Sequence, residues 1–340
     1  MKIAVDAMGG DFAPAAVVTG ALDAARRLQG IDRLVLVGDE TAIRRELDSQ
    51  RGGVPKTIEV YHASEVIGMD EAPVHAVRRK KDSSINRAID LVKSGEAQGM
   101  ISAGNTGAVV AAATLKLRTL AGIDRPAIAT VMPTPRKPFV LIDAGANTDC
   151  SARMLVQFAI MGALYAGEIL KCEKPLVGLM NVGTEDGKGN DTTKEAFKML
   201  HETPAVNFRG NIEGHDLFKG EINVAVCDGF VGNVILKTSE SVAHAVGHWI
   251  KQEFRSNPVR LLGTALLSGA LRNLRTNMNP EMYGGAPLLG VNGVCTISHG
   301  ASSPRAIFHA IRVTRDSVKL NLNEHIIRTV GEGHVSQTRQ

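Results

Sequence analysis

Residues 3–11 read IAVDAMGGD, an apolar run that ends in a polar, glycine-rich turn, and a helical pattern follows at residues 15–28. The same arrangement recurs at residues 34–39, 100–107, 140–147, 177–183, 224–229 and 294–300. Short apolar strands that alternate with helices are typical of a largely parallel sheet with helices on both faces. The sequence therefore predicts an α/β fold of three layers, α/β/α, around a mostly parallel sheet.

The glycine-rich turns also predict where the functional site lies. In sheets of this kind, ligands bind beyond the carboxyl ends of the strands. Because every glycine-rich turn of the chain directly follows a strand, we expect the turns to converge on one cleft.

Composition limits the class of protein. The chain has 340 residues, of which 44% are hydrophobic and 22% charged, so it is long and apolar enough for a large folded domain. Aromatic residues make up 4% and the formal net charge is only +4, which argues against a nucleic-acid-binding protein. The four cysteines are scattered without a C-x-x-C pair, which argues against a disulfide framework and fits a reducing compartment.

The domain organisation is expected to be simple. No stretch rich in proline or serine divides the chain, so we expect one catalytic domain over residues 1–330 and a frayed polar tail at 331–340. No apolar run approaches the length of a membrane-spanning helix, which is about 20 residues. Asp6 interrupts the only candidate for a signal peptide, so we expect a cytoplasmic location.

Residues 241–282 depart from the alternation and read as two long helical pieces that are broken near Asn257-Pro258. In the second piece, polar residues recur at helical spacing and form one stripe, namely Arg260, Thr264, Ser268, Arg272 and Arg275. The remainder of that piece is apolar and includes Leu262, Leu266, Leu267 and Leu271. A helix with so wide an apolar face must bury it in a dimer partner, in the protein core or at a bilayer surface.

The sequence departs at specific positions from the motifs of several common enzyme classes. Residues 183–189 read GTEDGKG, which is one residue short of a P-loop and lacks its Ser/Thr. No G-x-G-x-x-G follows the first strand, so a dinucleotide site is unsupported. His244 and His248 are four residues apart but lack the glutamate of a zinc-protease helix. The G-x-S-x-G elbow of serine hydrolases is absent, and no spacing of acidic residues demands a metal ion.

The remaining candidates are mostly uncharged donors in strand-end turns, which are the residue types that suit an oxyanion. Residues 102–107 read SAGNTG, open a helix, and offer backbone N–H groups beside a hydroxyl and an amide side chain. Further strand-end or helix-start positions are occupied by Asn147, Asn181, Lys188, Asn233 and His299. The alternative is that asparagine and glycine only provide turn conformations and that the histidine belongs to the core.

Six blocks of the sequence closely resemble the bacterial phosphate acyltransferase family PlsX. They are residues 3–11 (IAVDAMGGD), 102–108 (SAGNTGA), 181–190 (NVGTEDGKGN), 210–214 (GNIEG), 227–233 (CDGFVGN) and 283–286 (YGGA), with His299-Gly300 after them. The blocks occur in order from the first strand to about Arg312. The resemblance therefore covers nearly the whole chain.

The resemblance implies a fold like that of isocitrate and isopropylmalate dehydrogenases, which phosphotransacetylase shares, and it implies a homodimer. It implies that a fatty acyl group on acyl carrier protein reacts with inorganic phosphate, which gives acyl phosphate and free carrier protein. It also implies that the product feeds a membrane glycerol-3-phosphate acyltransferase in phospholipid synthesis, and that the enzyme associates peripherally with the membrane. Neither a cofactor nor a metal is expected.

The expected chemistry suits these residues, because a thiol leaving group has a pKa of about 8.5 and phosphate is already anionic at neutral pH. We predict that phosphate is bound by Ser102, Gly104, Asn105, Thr106, Gly107 and Asn147, together with Asn181 and Lys188. We predict that Asn233 or His299 faces the thioester carbonyl oxygen or the leaving thiol.

Acyl carrier protein is strongly acidic, so we expect it to dock on a basic surface. The two candidate surfaces are the run Arg78, Arg79, Lys80 and Lys81, and the stripe that contains Arg260 and Arg272. The leucines opposite that stripe are expected to contact lipid, the acyl chain or a dimer partner. Three alternative functions stay open: a phosphotransacetylase that uses coenzyme A, an isocitrate-type dehydrogenase, and a membrane-bound adaptor without activity.

Overall fold

The computed structural model describes residues 1–271 and 283–337 of the chain. Its strands are β1 (Lys2–Asp6), β2 (Arg33–Gly38), β3 (Ile58–His62), β4 (Gly99–Ser102), β5 (Ala127–Met132), β6 (Phe139–Ile142), β7 (Leu176–Met180), β8 (Asn207–Ile212), β9 (Val224–Val226), β10 (Ala286–Leu289) and β11 (Val294–Ile297). The helices named below are α1 (Ala15–Arg27), α2 (Glu40–Ser49), α3 (Pro73–Arg79), α4 (Ser84–Lys93), α5 (Thr106–Lys116), α6 (Ala152–Glu168), α7 (Asp191–His201), α8 (Gly229–Arg255), α9 (Pro258–Leu266), α10 (Pro304–Lys319) and α11 (Leu322–Gln337).

The described strands form one sheet in the order β3-β2-β1-β4-β11-β10-β5-β6-β9-β7-β8. Most neighbouring pairs in this sheet are parallel, and the antiparallel pairs are β11–β10, β10–β5 and β5–β6. The sheet is therefore mixed but mostly parallel, and the predicted α/β class is confirmed.

Helices cover both faces of the sheet, and successive residues of β1 show this directly. Ile3 and Val5 are fully buried in a cluster with residues of α1 and α10, whereas Ala4 lies in a second cluster with residues of α4 and α5. In the other half of the sheet, α6, α7 and α11 cover one face, and α8 packs on the other. The predicted three-layer arrangement is confirmed.

Side-chain caps start seven of the helices named above, most of them where a strand-end turn finishes. In each case the cap oxygen accepts the N–H of the residue three positions later, and the caps are Asp39, Ser83, Asn105, Ser151, Asn190, Asp228 and Ser303. A cap of this kind stabilises a helix by about 1 kcal/mol. Several polar residues at strand ends thus have a structural task as well as any chemical one.

The antiparallel pairs in the middle of the sheet reverse the direction of its second half. Strands β1 to β4 and β11 run one way, whereas β6 to β9 run the other way. The turns after the two sets of strands consequently leave the sheet at opposite edges. The mixed pairing removes the argument from a single strand direction, and the convergence of all the glycine-rich turns on one cleft stays a prediction.

The two sets of turns approach each other over one face of the sheet. Val109 of α5 and Ala144 of the turn after β6 share one hydrophobic cluster, and Leu236 of α8 packs against it. Because α8 starts at the second edge and rises about 1.5 Å per residue, it carries Lys237 to the turn after β11 at the first edge. The candidate site is therefore the region between the first turn of α5, the turn after β11, and α8.

The last helix enters residues 331–340, the segment that the sequence predicts to be a frayed tail. Helix α11 extends to Gln337, and its Leu322, Ile326 and Val330 recur every four residues and are buried in the core. Helix α8 ends at Arg255 and α9 begins at Pro258, so the break falls at the predicted Asn257-Pro258 pair. No helix within residues 1–271 and 283–337 is long and apolar enough to cross a membrane.

Candidate functional site

The buried carboxyl of Asp6 organises the first part of the site. Ser102 Oγ donates a hydrogen bond to Asp6 Oδ2 at 2.6 Å, and the Gly104 N–H donates to Ser102 Oγ at 3.0 Å. The Met8 N–H donates to Asp6 Oδ1 at 3.1 Å. Burial raises the pKa of Asp6, and hydrogen bonds from Ser102, Ser84 and the backbone oppose that effect. Ser102 therefore connects Asp6 to the glycine-rich turn.

Three turns meet so closely that two of the contacts require glycine. A Cβ atom on Gly9 would lie 2.5 Å from the Gly104 nitrogen. Gly10 has φ +99°, and a Cβ atom on it would lie 2.8 Å from the Gly300 carbonyl oxygen. The Asp11 N–H donates to that carbonyl at 2.8 Å. The turn after β1 is thus held between the turns after β4 and β11.

Asn105 holds the first turn of α5 in place with its whole side chain. Its Oδ1 accepts the Ala108 N–H at 3.0 Å, and its Nδ2 donates to the carbonyls of Gly68 and Met69 at 3.2 and 3.0 Å and to that of Glu71 at 3.2 Å. The amide predicted to bind phosphate is therefore engaged with protein groups.

The backbone at the start of α5 is suited to an anion. The N–H groups of Thr106 and Gly107 begin the helix and have no intrahelical partner. The helix dipole adds positive potential at the same point. Of the six residues predicted for phosphate, Thr106 and Gly107 thus offer the donors, whereas Ser102, Gly104 and Asn105 position them.

The loop at residues 64–72 borders this anion site and is fixed by charge. Lys80 Nζ contacts Glu71 Oε1 and donates to the Val66 carbonyl at 2.7 Å. The hydrogen bond from Lys80 lowers the pKa of Glu71. Met69 at the tip of the loop reaches Gly300. Lys80, one of the residues predicted to dock acyl carrier protein, therefore holds this loop.

His299 and a lysine that the sequence did not single out meet at the other side of the site. His299 Nδ1 accepts the Ala301 N–H at 3.1 Å, and Lys237 Nζ lies 3.5 Å from His299 Nε2. Lys237 also pairs with Glu240 at 3.0 Å. Lys237 lies one helical turn after Asn233, so the two residues lie on the same face of α8. This spacing of four residues was the sequence signal from which Lys237 could have been identified.

Asp143 organises the turn after β6 as Asp6 organises the turn after β1. It is fully buried and accepts the N–H groups of Ile128 at 3.0 Å and Asn147 at 2.7 Å. Asn147 Nδ2 donates to Asp143 Oδ2 at 2.9 Å and to the Pro126 carbonyl at 2.7 Å. Burial raises the pKa of Asp143, and hydrogen bonds from Ala146 and Asn147 oppose that effect. The side chain of Asn147 is thus occupied within this turn.

Asn233 occupies an exposed position on the second turn of α8. A Cβ atom on Gly145, in the turn after β6, would lie 3.6 Å from Asn233 Cβ. The Gly229 N–H at the start of α8 donates to the Asn147 carbonyl at 2.6 Å. The turn after β6 therefore fixes where Asn233 and Lys237 are presented.

Asn181 and Lys188 lie in the turn after β7, at the second edge of the sheet. Asn181 Oδ1 accepts the Val182 N–H at 2.8 Å, and its Nδ2 donates to the Lys188 carbonyl at 3.1 Å. The Lys188 side chain is half exposed, with Nζ 4.0 Å from Glu185. The Asn181 amide is therefore engaged within this turn, whereas the Lys188 ammonium is half exposed.

Three of the cysteines are poorly suited to nucleophilic catalysis. Burial raises the pKa of Cys150 to about 12, with a further contribution from the nearby Asp143. Burial also raises the pKa of Cys295 to about 12 and that of Cys227 well above its usual value. Because the thiolate is the reactive form, these thiols are weak nucleophiles at neutral pH.

Part of the predicted docking set lines a cavity of about 530 Å³ between α3, α4 and α5. Arg78 and Lys81 line it together with Arg87, Lys116 and the half-exposed Leu115. Arg79 is exposed nearby. We call this cavity the basic groove.

The second predicted docking surface lies partly outside the described residues. Arg260 contacts Glu253 and donates to Ser256 Oγ at 2.9 Å, whereas Arg272 falls in the segment that the structure does not describe. Among the leucines, Leu266 is 83% exposed and Leu267 is 52% exposed. Leu271 is partly buried, and Leu262 lies in α9 with its side chain outside the description.

Comparison with known sequences gives one consistent result. A family model described as a fatty acid synthesis protein matches residues 1–325. The chain is 49% identical over 327 residues to a phosphate acyltransferase from Pelotomaculum thermopropionicum, across 96% of this chain and 94% of that protein. It is 45% identical over 341 residues to a phosphate acyltransferase from Pelobacter propionicus, across 100% of this chain and 97% of that one.

Solved structures share the fold at low sequence identity. A phosphotransacetylase from Streptococcus pyogenes matches with a TM-score of 0.59 and 20% identity over 94% of each chain. The EutD phosphotransacetylase from Staphylococcus aureus matches with a TM-score of 0.56 and 17% identity, also over 94% of each chain. The likeness to the phosphotransacetylase fold that the resemblance implied is confirmed.

Proposed function

This chain belongs to the fatty acid synthesis protein family, whose relatives named above are phosphate acyltransferases, and from that premise we propose the reaction. It transfers a fatty acyl group from acyl carrier protein to inorganic phosphate and releases acyl phosphate and free carrier protein. The observation that supports this proposal best is the first turn of α5, where donors suited to an anion are held by three interlocked turns.

The reaction requires little from the protein besides positioning of the two reactants and stabilisation of the charge that develops on the carbonyl oxygen. A thiol leaving group with a pKa of about 8.5 departs without a strong acid. Phosphate, whose esters have a second pKa of about 6, needs no strong base to attack. Correct positioning of two reactants lowers a barrier by about 7–11 kcal/mol, and one oxyanion donor contributes about 3–4 kcal/mol. The raised pKa values of the buried cysteines fit direct transfer without an acyl-enzyme intermediate.

The proposed binding site for phosphate is the pair of N–H groups at Thr106 and Gly107. Asp6 and Ser102 orient this turn, and Asn105 fixes it to the loop at residues 64–72. Asn147 acts by holding the start of α8. Asn181 and Lys188 remain proposed phosphate ligands from the second half of the sheet. Asn233 or His299 remains the proposed partner of the carbonyl oxygen or of the leaving thiol.

The reaction is tested with purified protein, palmitoyl-acyl carrier protein and phosphate, with acyl phosphate trapped by hydroxylamine. We expect phosphate-dependent release of the carrier thiol and formation of the hydroxamate. A matched reaction with palmitoyl-coenzyme A and acetyl-coenzyme A separates the two acyltransferase functions. Preferred use of acetyl-coenzyme A would favour a phosphotransacetylase, and no turnover of any thioester would favour the adaptor.

We further propose that the protein works as a homodimer at the membrane surface and passes acyl phosphate to a membrane glycerol-3-phosphate acyltransferase. The support is a set of exposed apolar side chains on α8 and α9, of which Trp249 is 64% exposed, Val259 79% and Leu266 83%. A contiguous patch built from such side chains would bind lipid or another protein.

The membrane proposal is tested by substituting Leu266→Asp and sedimenting the protein with vesicles of phosphatidylglycerol and phosphatidylethanolamine. We expect the partition coefficient to fall by about tenfold to 150-fold, because burial of one leucine side chain is worth about 1.5–3 kcal/mol. Val54→Asp, at an exposed valine in a loop, serves as the control. Unchanged partitioning with loss of the dimer in analytical ultracentrifugation would assign Leu266 to the subunit interface instead.

A further inference from the structure

Lys237 and His299 form a contact between the two halves of the sheet. Neither residue belongs to the proposed phosphate site. Lys237 lies on α8, which follows β9, and His299 lies in the turn after β11. Their nearest nitrogen atoms, Nζ and Nε2, are 3.5 Å apart, and both side chains are exposed. The neighbour of His299, Gly300, accepts the Asp11 N–H at 2.8 Å, so the contact adjoins the interlocked turns that precede α5.

The backbone assigns the tautomer of His299. The Ala301 N–H donates to Nδ1 at 3.1 Å, and a backbone N–H can only donate. The lone pair therefore lies on Nδ1, and the proton of the neutral ring lies on Nε2. The lysine ammonium also has donors only. The two groups thus face each other as donors, and neither can accept from the other.

Two donors at this separation are matched to a single acceptor atom. The donors of an oxyanion hole lie about 2.7–3.1 Å from the oxygen that they stabilise. An oxygen at that distance from Lys237 Nζ and from His299 Nε2 closes a triangle whose base is the observed 3.5 Å. A phosphate ion presents several spread oxygens and is better matched to the spaced N–H groups of a helix start.

We propose that Lys237 Nζ and His299 Nε2–H together bind the oxygen of the thioester carbonyl while it becomes negatively charged. This inference rests on the proposed function. A phosphate oxygen forms a bond to the carbonyl carbon, and the carbonyl electron pair moves onto the oxygen between the two donors. The pair then returns, the C–S bond breaks, and the sulfur leaves with its bonding electrons and takes a proton from water.

Glu240 has a secondary part in this arrangement. Its carboxylate lies 3.0 Å from Lys237 Nζ, one turn further along α8, and both side chains are partly exposed. An exposed ion pair of this kind is weak, so the ammonium can turn to the substrate oxygen. Before substrate binds, the pair holds the ammonium beside His299. Glu240 is accordingly a positioning residue.

The test measures kcat and the KM for phosphate with palmitoyl-acyl carrier protein for Lys237→Met and His299→Ala. We expect kcat to fall by about 10²-fold in each variant while the KM for phosphate changes less than about twofold, because one oxyanion donor is worth about 10²–10³ in kcat. Lys237→Arg keeps a donor and should recover much of the rate. The double variant should be close to the worse single variant, because the two donors act as one unit.

Controls separate this role from a structural one. Lys93→Met removes an exposed lysine at the end of α4 and should leave both constants unchanged. Unfolding temperatures should match among the lysine variants, because Lys237 is exposed. A normal kcat in Lys237→Met, or a raised KM for phosphate at normal kcat, would overturn the oxyanion role while leaving the proposed function intact. A wild-type protein without turnover would overturn both.

Discussion

At the residue scale, Asn105 uses one amide group for two purposes. Its oxygen caps α5, and its nitrogen donates to the carbonyls of Gly68, Met69 and Glu71. Substitution by alanine should reduce the free energy of unfolding by about 2–3 kcal/mol, since the lost cap costs about 1 kcal/mol and loop carbonyls lose a donor at about 1 kcal/mol or more. Turnover should fall as well, because the N–H groups of Thr106 and Gly107 lose their anchor. Urea unfolding and steady-state kinetics measure the two effects.

A matched asparagine gives the control for that prediction. Asn190 caps α7 in the same way, with its Oδ1 accepting the Thr193 N–H at 2.9 Å. Asn190→Ala should cost only the cap, about 1 kcal/mol. Equal losses of stability in the two variants would show that the bonds to the 64–72 loop contribute nothing.

The same residue shows what the sequence could and could not predict at this scale. The identity of the strand-end turns and their polar residues was predicted, because turn and cap chemistry is local. The direction of the Asn105 amide was not, because it depends on a loop that lies 34 to 37 residues earlier in the chain. For the same reason, Lys237 was missed: its partner His299 is 62 residues away.

At the scale of elements, the loop at residues 64–72 depends on the charge of Glu71. The hydrogen bond from Lys80 lowers the pKa of Glu71 below its ordinary value of 4.5, and Arg79 adds a smaller effect. A carboxyl with a lowered pKa stabilises the folded loop above the ordinary pKa, and this contribution is lost as the pH falls through the lowered value. We therefore expect amide exchange in residues 66–71, corrected for intrinsic rates, to increase below about pH 4.

Substitution of Glu71 by glutamine isolates this effect. Glu71→Gln should show increased exchange in the loop already at pH 7 and little further change on acidification. Glu40→Gln removes an exposed carboxylate that pairs with Arg44 on α2 and should leave the loop unchanged. A loop that exchanges equally in wild type and Glu71→Gln at neutral pH would contradict the role of the ion pair.

The strand directions mark the limit of sequence prediction at this scale. Each apolar run followed by a glycine-rich turn was recognisable, because strand and turn signals are local. The reversal between β5 and β6 was not predicted, because β5 is not followed by a glycine-rich turn and was not among the identified runs, although residues 133–138 are too few for a parallel crossover. As a result, the class of fold was predicted, whereas the reversal of strand direction within the sheet was not.

At the scale of the whole molecule, the basic groove and the anion site are joined by α5. The helix rises about 1.5 Å per residue, so Lys116 in the groove lies about 14 Å along its axis from Gly107. A carrier protein that docks in the groove is therefore close enough to deliver a thioester on a flexible arm to the first turn of α5. This arrangement favours Arg78 and Lys81 over Arg260, whose guanidinium contacts Glu253.

Charge reversal in the groove tests this docking mode. The double variant Arg78→Glu/Lys81→Glu should raise the KM for acyl carrier protein by about tenfold at low ionic strength, because opposite charges steer association. The KM for phosphate and kcat should change little, since neither residue touches the anion site. The effect should shrink at high salt, because the Debye length falls from about 10 Å at 0.1 M to about 3 Å at 1 M.

Lys56→Glu/Lys93→Glu changes the net charge equally at exposed positions outside the groove. If both double variants raised the KM to the same extent, the total charge of the protein rather than the groove would attract the carrier.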